Sequence, residues 1–297
     1  MSVFLFPGQG SQRPGMGADF FASSTVARAV FEEAETLYGG GLLNAIFRGD
    51  GELLNHTALA QPALLTVEVA MARHLIGAGI RPSACAGHSL GEIPALVLAG
   101  VCAFSDAFQF TRERARLMSE HVPAGGMAAV LGLDAEAIER ALPCGVQVAN
   151  YNGPGQTIIS GNEAGLNAAA EALKAAGAKR VVPLKVSGPF HSEYMRGAAQ
   201  HFSAVLADVP FSNPEVTVVS SVSGQVIGSG EEARTLLGQQ LFSPVRWTQA
   251  VAALPGVSAI EVGPGNVLKG LCKRIDGAPE VATTDTLDGV LAILPPL

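Results

Sequence analysis

The sequence predicts an α/β fold: a large α/β-hydrolase-like domain with a parallel-rich sheet, and a smaller ferredoxin-like α+β domain inserted into it. Two observations support this prediction. Short apolar runs alternate with helix-like stretches along most of the chain, which is the pattern of strands joined by crossover helices. Between residues 126 and 188 the order becomes strand, helix, strand, strand, helix, strand, which is the ferredoxin-like arrangement.

The first part of the chain starts the large domain. Its predicted elements are strands at 3–6 and 84–86 and helices at 62–77 and from 105 to about His121. Pro62 is expected in the first turn of its helix, where the missing N–H costs nothing. Ser105 and Asp106 are typical helix caps, so the next helix is expected to begin there.

A glycine- and proline-rich break at 123–126 precedes the inserted unit. Its predicted strands are 127–131, 146–149, 156–160 and 180–184, and its predicted helices are 135–142 and 163–177. A helix at 193–206 and strands at 216–220 and 259–262 then complete the large domain. The expected boundaries are therefore 1–125 and 189–297 for the large domain and 126–188 for the small domain.

Composition excludes several classes of function. Of the 297 residues, 48% are hydrophobic and 15% are charged, as in a globular chain, and the net charge of −7 argues against nucleic acid as the main partner. Apolar stretches are too short for a membrane span, and we expect no signal peptide. The four cysteines lie far apart without metal-ligand spacing. They indicate free thiols in the cytoplasm and no metal site.

The segment Gly87-His88-Ser89-Leu90-Gly91 is the most informative motif. An apolar run precedes it and a helix-like stretch follows it, which is the layout of a nucleophile elbow. The small residues permit a strained turn, and the N–H groups of the following helix point at the position where an oxyanion would form. Ser89 is therefore a candidate nucleophile, although a chance match is an alternative in a chain with 35 glycines.

A serine nucleophile needs a base, and six histidines are available. His191 lies in a Gly-Pro loop between a predicted strand and a helix, where catalytic groups of α/β proteins collect. It is the candidate base, and a packing role is the alternative. His88 adjoins Ser89 and is expected to support the turn. The remaining four are expected to be structural or exposed: His56, His74, His121 and His201.

Seven segments occur in an order that resembles malonyl-CoA:acyl carrier protein transacylases, including the free-standing acyltransferases of polyketide synthases. They are Phe6-Pro7-Gly8-Gln9-Gly10-Ser11-Gln12, Gln61-Pro62-Ala63-Leu64, Gly87-His88-Ser89-Leu90-Gly91-Glu92, Asn150-Tyr151-Asn152-Gly153-Pro154-Gly155-Gln156, Gly188-Pro189-Phe190-His191-Ser192, Gln240-Leu241-Phe242-Ser243-Pro244-Val245 and Val262-Gly263-Pro264-Gly265-Asn266-Val267-Leu268. The resemblance covers nearly the whole chain, from Phe4 to about Arg274. Seven ordered segments are far more specific than any one of them.

The resemblance implies a two-step transfer through an acyl-serine on Ser89, with His191 as the base. It implies that the backbone N–H groups of Gln9 and Leu90 hold the oxyanion, and that the backbone carbonyl of Gln240 orients the histidine. The Gln240 side chain is then expected to be dispensable. A phosphate-binding loop at residues 8–10 is a weak alternative, because no Gly-Lys-Ser/Thr follows.

The resemblance also implies the substrate class. Arg114, which is 25 residues after Ser89, matches the family arginine that binds the free carboxylate of a malonyl group. Phe190 would crowd an α-methyl branch, and His88 is expected beside it at the pocket. Ile93 and Pro94 depart from the usual family pattern, which puts the choice among malonyl groups in question.

The expected substrate and partner are therefore malonyl-CoA and an acyl carrier protein, with no cofactor. A monomer is compatible with the sequence, which leaves the oligomeric state open. A thioester hydrolase of the same fold and a catalytically silent docking module are the alternatives. Because carrier proteins are typically acidic, a local basic patch is expected to dock them. The candidates are Lys174, Lys179, Arg180 and Lys185 in the small domain and Arg196, Lys269, Lys273 and Arg274 in the large domain. Of these, Lys179, Arg180 and Lys273 are expected to matter most.

Overall fold

The computed structural model describes residues 2–120, 122–256 and 258–291 and contains two separate sheets. The strands are β1 Ser2–Phe6, β2 Pro82–Gly87, β3 Gly126–Leu131, β4 Val146–Gly153, β5 Gln156–Gly161, β6 Arg180–Pro183, β7 Thr217–Val219, β8 Ser258–Glu261 and β9 Glu280–Thr283. The helices of the first half are α1 Ala18–Ser23, α2 Thr25–Tyr38, α3 Leu42–Arg48, α4 Gly51–Asn55, α5 Thr57–Gly77, α6 Glu92–Leu98 and α7 Phe104–Glu120. Those of the second half are α8 Ala135–Ala141, α9 Glu163–Ala175, α10 Arg196–Ala207, α11 Gly230–Gln239, α12 Trp247–Ala252, α13 Val267–Cys272 and α14 Leu287–Leu291.

The larger sheet is parallel, with the strand order β7-β2-β1-β8-β9. Alternate residues of β1 face opposite sides of this sheet, as a strand requires. Phe4 and Phe6 pack into the cluster that contains the apolar faces of α2 and α5, whereas Val3 and Leu5 pack with Trp247 on the other side. Both faces of the sheet are therefore covered by helices, as a parallel sheet needs.

The smaller sheet is antiparallel, with the order β4-β5-β3-β6. Helices α8 and α9 cover one of its faces and form a separate apolar cluster with it. This strand order confirms the ferredoxin-like arrangement, and the two sheets together confirm the mixed α/β class. The domain boundaries at 125/126 and 188/189 stay a prediction.

Backbone hydrogen bonds connect β4 to the segment that precedes α12. Tyr151 N donates to the carbonyl of Val245 at 2.8 Å, and Val245 N donates to the carbonyl of Ala149 at 2.8 Å. The Thr248 hydroxyl adds a bond of 3.1 Å to the Tyr151 carbonyl. These contacts hold the edge of the small sheet beside the carboxyl ends of β1 and β2.

Two predicted helix starts were wrong. Helix α5 begins at Thr57, so that Pro62 lies inside it. The buried residues of this helix lie on all sides of it, and their burial offsets the hydrogen bond that the proline removes. Helix α7 begins at Phe104, and Ala107 N already bonds to the Ala103 carbonyl, so Ser105 and Asp106 lie within its first turn.

The sequence analysis did not identify β9, α1–α4 or α11–α14. His121 lies outside the described residues, and the helix predicted to reach it is described to Glu120. No helix in the described ranges is both long and apolar enough to span a membrane.

Candidate active site

Ser89 lies at the carboxyl end of the parallel sheet, directly after β2, and begins a single helical turn that leads into α6. Its backbone has a φ of 53°, in the left-handed region that non-glycine residues rarely adopt. The turn is tight, because a Cβ on Gly87 would lie 1.9 Å from the Gly91 carbonyl carbon, and a Cβ on Gly91 would lie 2.0 Å from the Phe6 oxygen. Glycine is therefore required at both positions, and the predicted nucleophile elbow is present.

His191 faces Ser89 from the loop that precedes α10. The Ser89 hydroxyl lies 2.8 Å from His191 Nε2, which is hydrogen-bond distance. His191 has a φ of 55°, and its N–H donates to the Leu241 carbonyl at 2.9 Å, which holds the strained backbone in place. The structure therefore brings the predicted nucleophile and the predicted base together.

Two backbone carbonyls orient the imidazole ring. Nδ1 of His191 lies 2.9 Å from the Gln240 carbonyl and 3.1 Å from the Ser243 carbonyl. Carbonyl oxygens only accept, so Nδ1 carries the proton and Nε2 is left as an acceptor for the serine hydroxyl. The Gln240 contact lies where it was expected, and that of Ser243 was not foreseen.

Burial sets the charge of the base. His191 is 5% exposed, and desolvation, reinforced by the positive charge of Arg114, lowers its pKa to about 3. The ring is therefore neutral at physiological pH, the state in which it can accept a proton.

Arg114 of α7 lies beside the pair and is 1% exposed. Its Nη2 donates to the Ser89 hydroxyl at 3.3 Å and to Gln240 Oε1 at 2.8 Å, while Nη1 donates to Gln61 Oε1 at 2.7 Å. Its Nε has no partner among the described residues. Burial lowers the pKa of Arg114 to about 10, which leaves it protonated at neutral pH.

The Gln240 side chain is fully buried and engaged at both ends. Besides accepting from Arg114, it donates from Nε2 to the Ser89 carbonyl at 3.0 Å. The expectation that this side chain is dispensable is therefore not supported by its contacts. Gln61 and the Gln240 amide are site groups that the sequence analysis did not identify as such, although both lie in segments that carried the resemblance.

A cavity of about 350 Å³ opens over Ser89 between the two sheets. Gln9 and Leu90, the expected oxyanion residues, and His88 and Phe190, the expected pocket residues, all line it. The Gln9 side chain donates to the Thr57 hydroxyl at 3.1 Å, which fixes the loop after β1. The small sheet supplies the opposite wall, through residues that include Met127, Asn150 and Ile158.

Ile93 and Pro94, where the sequence departs from the family pattern, are fully buried and absent from the cavity lining. They pack beneath the elbow in the first turn of α6. Their effect on the pocket is therefore at most indirect.

His88 holds the elbow to the small sheet. Its Nε2 lies 2.8 Å from Asn152 Oδ1, and its ring packs on Trp247. His88 therefore lies beside the pocket and links the turn at Ser89 to β4. His74 bonds to the Ser24 hydroxyl at 3.0 Å, whereas His56 and His201 are exposed.

Two cationic residues are linked to residues that line the cavity. Lys185 lies between Leu184 and Val186, which both line the cavity. Arg274 donates to Gln156 Oε1 at 2.6 Å, and Gln156 lines it too. Within the described ranges, no group of three His, Cys, Asp or Glu side chains is arranged to hold a metal ion.

An activated serine at the elbow of a parallel sheet, paired with a neutral histidine, defines a class of enzymes that transfer acyl groups through a serine ester. Residues 3–274 match the acyl transferase domain family, and the chain belongs to that family.

Curated relatives cover nearly the same length. The chain is 45% identical over 285 residues to the malonyl CoA-acyl carrier protein transacylase of Bacillus subtilis (strain 168), covering 92% of this chain and 90% of that protein. It is 44% identical over 284 residues to the protein of the same name from Escherichia coli (strain K12), covering 92% of each.

Solved structures agree with the fold. A malonyl-transacylase in complex with its type II PKS acyl-carrier protein superposes with a TM-score of 0.94 at 40% identity, covering 98% of each chain. An acyl carrier protein S-malonyltransferase from Vibrio cholerae gives a TM-score of 0.94 at 39% identity, covering 98% of this chain and 99% of that one.

Proposed function

We propose that the protein transfers a malonyl group from malonyl-CoA to the phosphopantetheine thiol of an acyl carrier protein. The observation that carries the proposal is the position of Arg114, a buried and protonated guanidinium 3.3 Å from the candidate nucleophile. A buried cation next to the reacting atom favours an acyl group that ends in a carboxylate. The relatives named as malonyl transacylases support the same substrate.

The first half-reaction forms an ester. Ser89 Oγ attacks the thioester carbonyl carbon while its proton passes to His191 Nε2. Stabilisation of the tetrahedral oxyanion is assigned to the backbone N–H groups of Gln9 and Leu90, two residues that line the cavity. Collapse of this intermediate breaks the carbon–sulfur bond, and the CoA sulfur leaves with the proton held by His191.

The second half-reaction reverses these steps with a different thiol. The phosphopantetheine sulfur gives its proton to His191 and attacks the ester carbonyl, and the Ser89 oxygen leaves and regains the proton. The two backbone carbonyls that accept from His191 Nδ1 stabilise the imidazolium that exists between the two proton transfers. No carboxylate is therefore needed behind the histidine. The proposed cycle uses no cofactor.

Selection of the acyl group follows from burial. Arg114 is desolvated, and an acyl group without a carboxylate leaves part of its guanidinium unpaired, which is costly. Phe190 narrows the cavity and disfavours an α-methyl branch, by about 1–3 kcal/mol for one methyl group in a tight pocket. Malonyl is therefore the proposed group.

The hydrolase reading is disfavoured by Arg114, since a general thioester hydrolase gains nothing from a carboxylate site. The silent docking reading is disfavoured by the intact hydrogen bond between Ser89 and His191. We place the reaction in the cytoplasm, which the four free cysteines support. A monomer is sufficient, since one chain supplies every group that the cycle uses.

Carrier docking is assigned to cations at the cavity mouth. Lys185 adjoins two lining residues in the chain and Arg274 bonds to a third, whereas no lining residue adjoins Lys179, Arg180 or Lys273 in the chain. An acidic carrier placed over the mouth would meet both cations as its thiol enters. We therefore propose Lys185 and Arg274 as the residues that contribute most to carrier docking.

The experiment is incubation with malonyl-CoA, with and without a phosphopantetheinylated carrier protein, followed by intact mass of both proteins. Transfer predicts a malonyl adduct on the enzyme alone and its passage to the carrier when both are present. Free malonate without a loaded carrier would indicate a hydrolase, and no adduct on either protein would indicate a docking module.

A further inference from the structure

We propose that the Gln240 side chain is a specificity-determining positioning residue: together with Gln61, it holds Arg114 through neutral amide oxygens, which keeps the guanidinium charge free for the carboxylate of the substrate. This inference rests on the proposed malonyl transfer. It concerns the amide of Gln240, not its backbone carbonyl, which contacts His191.

The contacts of Gln240 reach three parts of the site. Its Oε1 accepts from Arg114 Nη2 at 2.8 Å, its Nε2 donates to the Ser89 carbonyl at 3.0 Å, and its backbone carbonyl lies 2.9 Å from His191 Nδ1. Gln61 accepts from the other terminal nitrogen of Arg114 at 2.7 Å. Both glutamines are 0–1% exposed, so water does not replace either contact.

Neutral acceptors suit an arginine that must bind an anion. An amide oxygen satisfies an N–H and fixes the guanidinium plane without cancelling its charge. A carboxylate in the same place would form an ion pair and compete with the substrate. Among the described residues, no carboxylate lies within ion-pair distance of Arg114.

Glu92 is the acidic residue that acts electrostatically on Arg114, and its own carboxylate oxygens already accept hydrogen bonds. Its Oε2 accepts from Ser221 N at 2.6 Å, and its Oε1 lies 3.4 Å from the Ser220 hydroxyl. Glu92 therefore favours the charged state of Arg114 from a distance without filling its donors. The charge stays available at the cavity.

The second amide contact links substrate binding to the nucleophile. Nε2 of Gln240 donates to the carbonyl of Ser89, the residue whose backbone is held at the left-handed φ of 53°. The Gln240 side chain thus fixes the distance between the Arg114 guanidinium and the Ser89 hydroxyl. This distance determines whether the carboxylate of a malonyl group can bind Arg114 while its thioester carbon lies beside Ser89.

Backbone and side chain can be separated by mutation, because every substitution at position 240 keeps the carbonyl that contacts His191. Gln240→Met removes the amide at similar length, and Gln240→Glu replaces it with a carboxylate of the same shape. Gln239→Glu is the matched control, since it adds the same charge one residue away on an exposed side chain. The readouts are kcat/KM for ester formation from malonyl-CoA and from acetyl-CoA, and melting temperature.

For Gln240→Glu we expect kcat/KM with malonyl-CoA to fall about a hundredfold, because the new carboxylate occupies Arg114, and the malonyl-to-acetyl ratio to fall with it. Loss of the bond to the Ser89 carbonyl lowers kcat/KM with both acyl-CoAs, so the ratio reports the effect on Arg114. Gln240→Met should lower the malonyl-to-acetyl ratio less, while its pH profile keeps the wild-type shape because His191 keeps its carbonyl. Gln239→Glu should keep the wild-type ratio.

An unchanged malonyl-to-acetyl ratio in a folded Gln240→Glu would overturn the inference. Gln61→Glu brings a carboxylate to the other side of Arg114, and the same fall in ratio is expected there; this tests the neutral-acceptor claim if the variants at 240 do not fold. Absence of a malonyl ester on the wild-type enzyme would instead contradict the proposed function itself.

Discussion

Ser89 and His191 are the two non-glycine residues with positive φ in the described part of the chain, and they meet through a 2.8 Å hydrogen bond. Left-handed backbone at such residues costs on the order of 1–3 kcal/mol each. Both are held by neighbouring backbone contacts, which place the hydroxyl and the imidazole face to face across the cavity. The strain and the chemistry therefore coincide at the same two residues.

Arg114 is predicted to govern the choice of acyl group. Arg114→Ala should weaken malonyl transfer by about 2–5 kcal/mol, the range for losing one partner of a desolvated charge pair, while activity with acetyl-CoA rises relative to malonyl-CoA. The measurement is kcat/KM with each acyl-CoA. Arg112→Ala is the matched control, because Arg112 lies on the same helix but donates to the Leu37 carbonyl away from the cavity. Equal losses with both acyl-CoAs would show that Arg114 is only structural.

The pH dependence should reflect the low pKa of His191, which burial and then Arg114 lower to about 3. The neutral ring is the base, so ester formation should stay nearly constant from about pH 8 down to about pH 5. The measurement is the single-turnover rate of ester formation across this range. In Arg114→Gln, assayed with acetyl-CoA, the kinetic pKa should rise, because the positive charge that lowers the pKa of His191 has been removed. A wild-type rate that is half-lost near the ordinary histidine pKa of about 6.5 would contradict this.

Fold and site were predictable to different depths. The elbow at Ser89 and the loop at His191 have local signatures, since glycines and a strand-to-helix change mark each in sequence. The small domain was predictable because its order of strands and helices by itself indicates a ferredoxin-like fold. Arg114 followed from its spacing within a family pattern.

The Gln240 amide could not be identified in the same way. Its partner Arg114 is 126 residues away in the chain, and a buried neutral side chain has no spacing rule. The start of α5 was missed for another reason. Burial of residues before Pro62 outweighs the local preference of proline for a first turn.

Glu68 offers a test of the core beside the site. It lies on α5, fully buried, with neither carboxyl oxygen bonded within the described part of the chain, and burial and then Glu261 raise its pKa well above 4.5. The folded state binds this proton more tightly than the unfolded state, so stability falls as pH rises from the unfolded pKa towards the folded one. Glu68→Met should raise the free energy of unfolding by about 1–3 kcal/mol at pH 8 and by less at pH 5.

Urea unfolding at both pH values measures this difference. Glu68→Gln serves as the control, since it keeps a polar group and removes the titration. A gain from Glu68→Met that is equal at both pH values would show that folding does not raise the pKa of Glu68.

Charge reversal at the cavity mouth should affect the carrier selectively. Lys185→Glu and Arg274→Glu should each raise KM for the carrier severalfold, with a smaller effect at high salt, while ester formation from malonyl-CoA is spared. Lys174→Glu is the control. Lys174 was one of the docking candidates, but it is on α9, which covers the face of the small sheet opposite the cavity. Equal KM values for all three variants would place carrier docking elsewhere.

The central claim is that Ser89 carries the acyl group. The most direct measurement is intact mass of the enzyme after malonyl-CoA is added without acceptor, followed by peptide mapping. The account predicts one malonyl adduct on the peptide that contains Ser89, and none on Ser89→Ala. A malonyl adduct that persists on Ser89→Ala, or that maps to another residue, would contradict it.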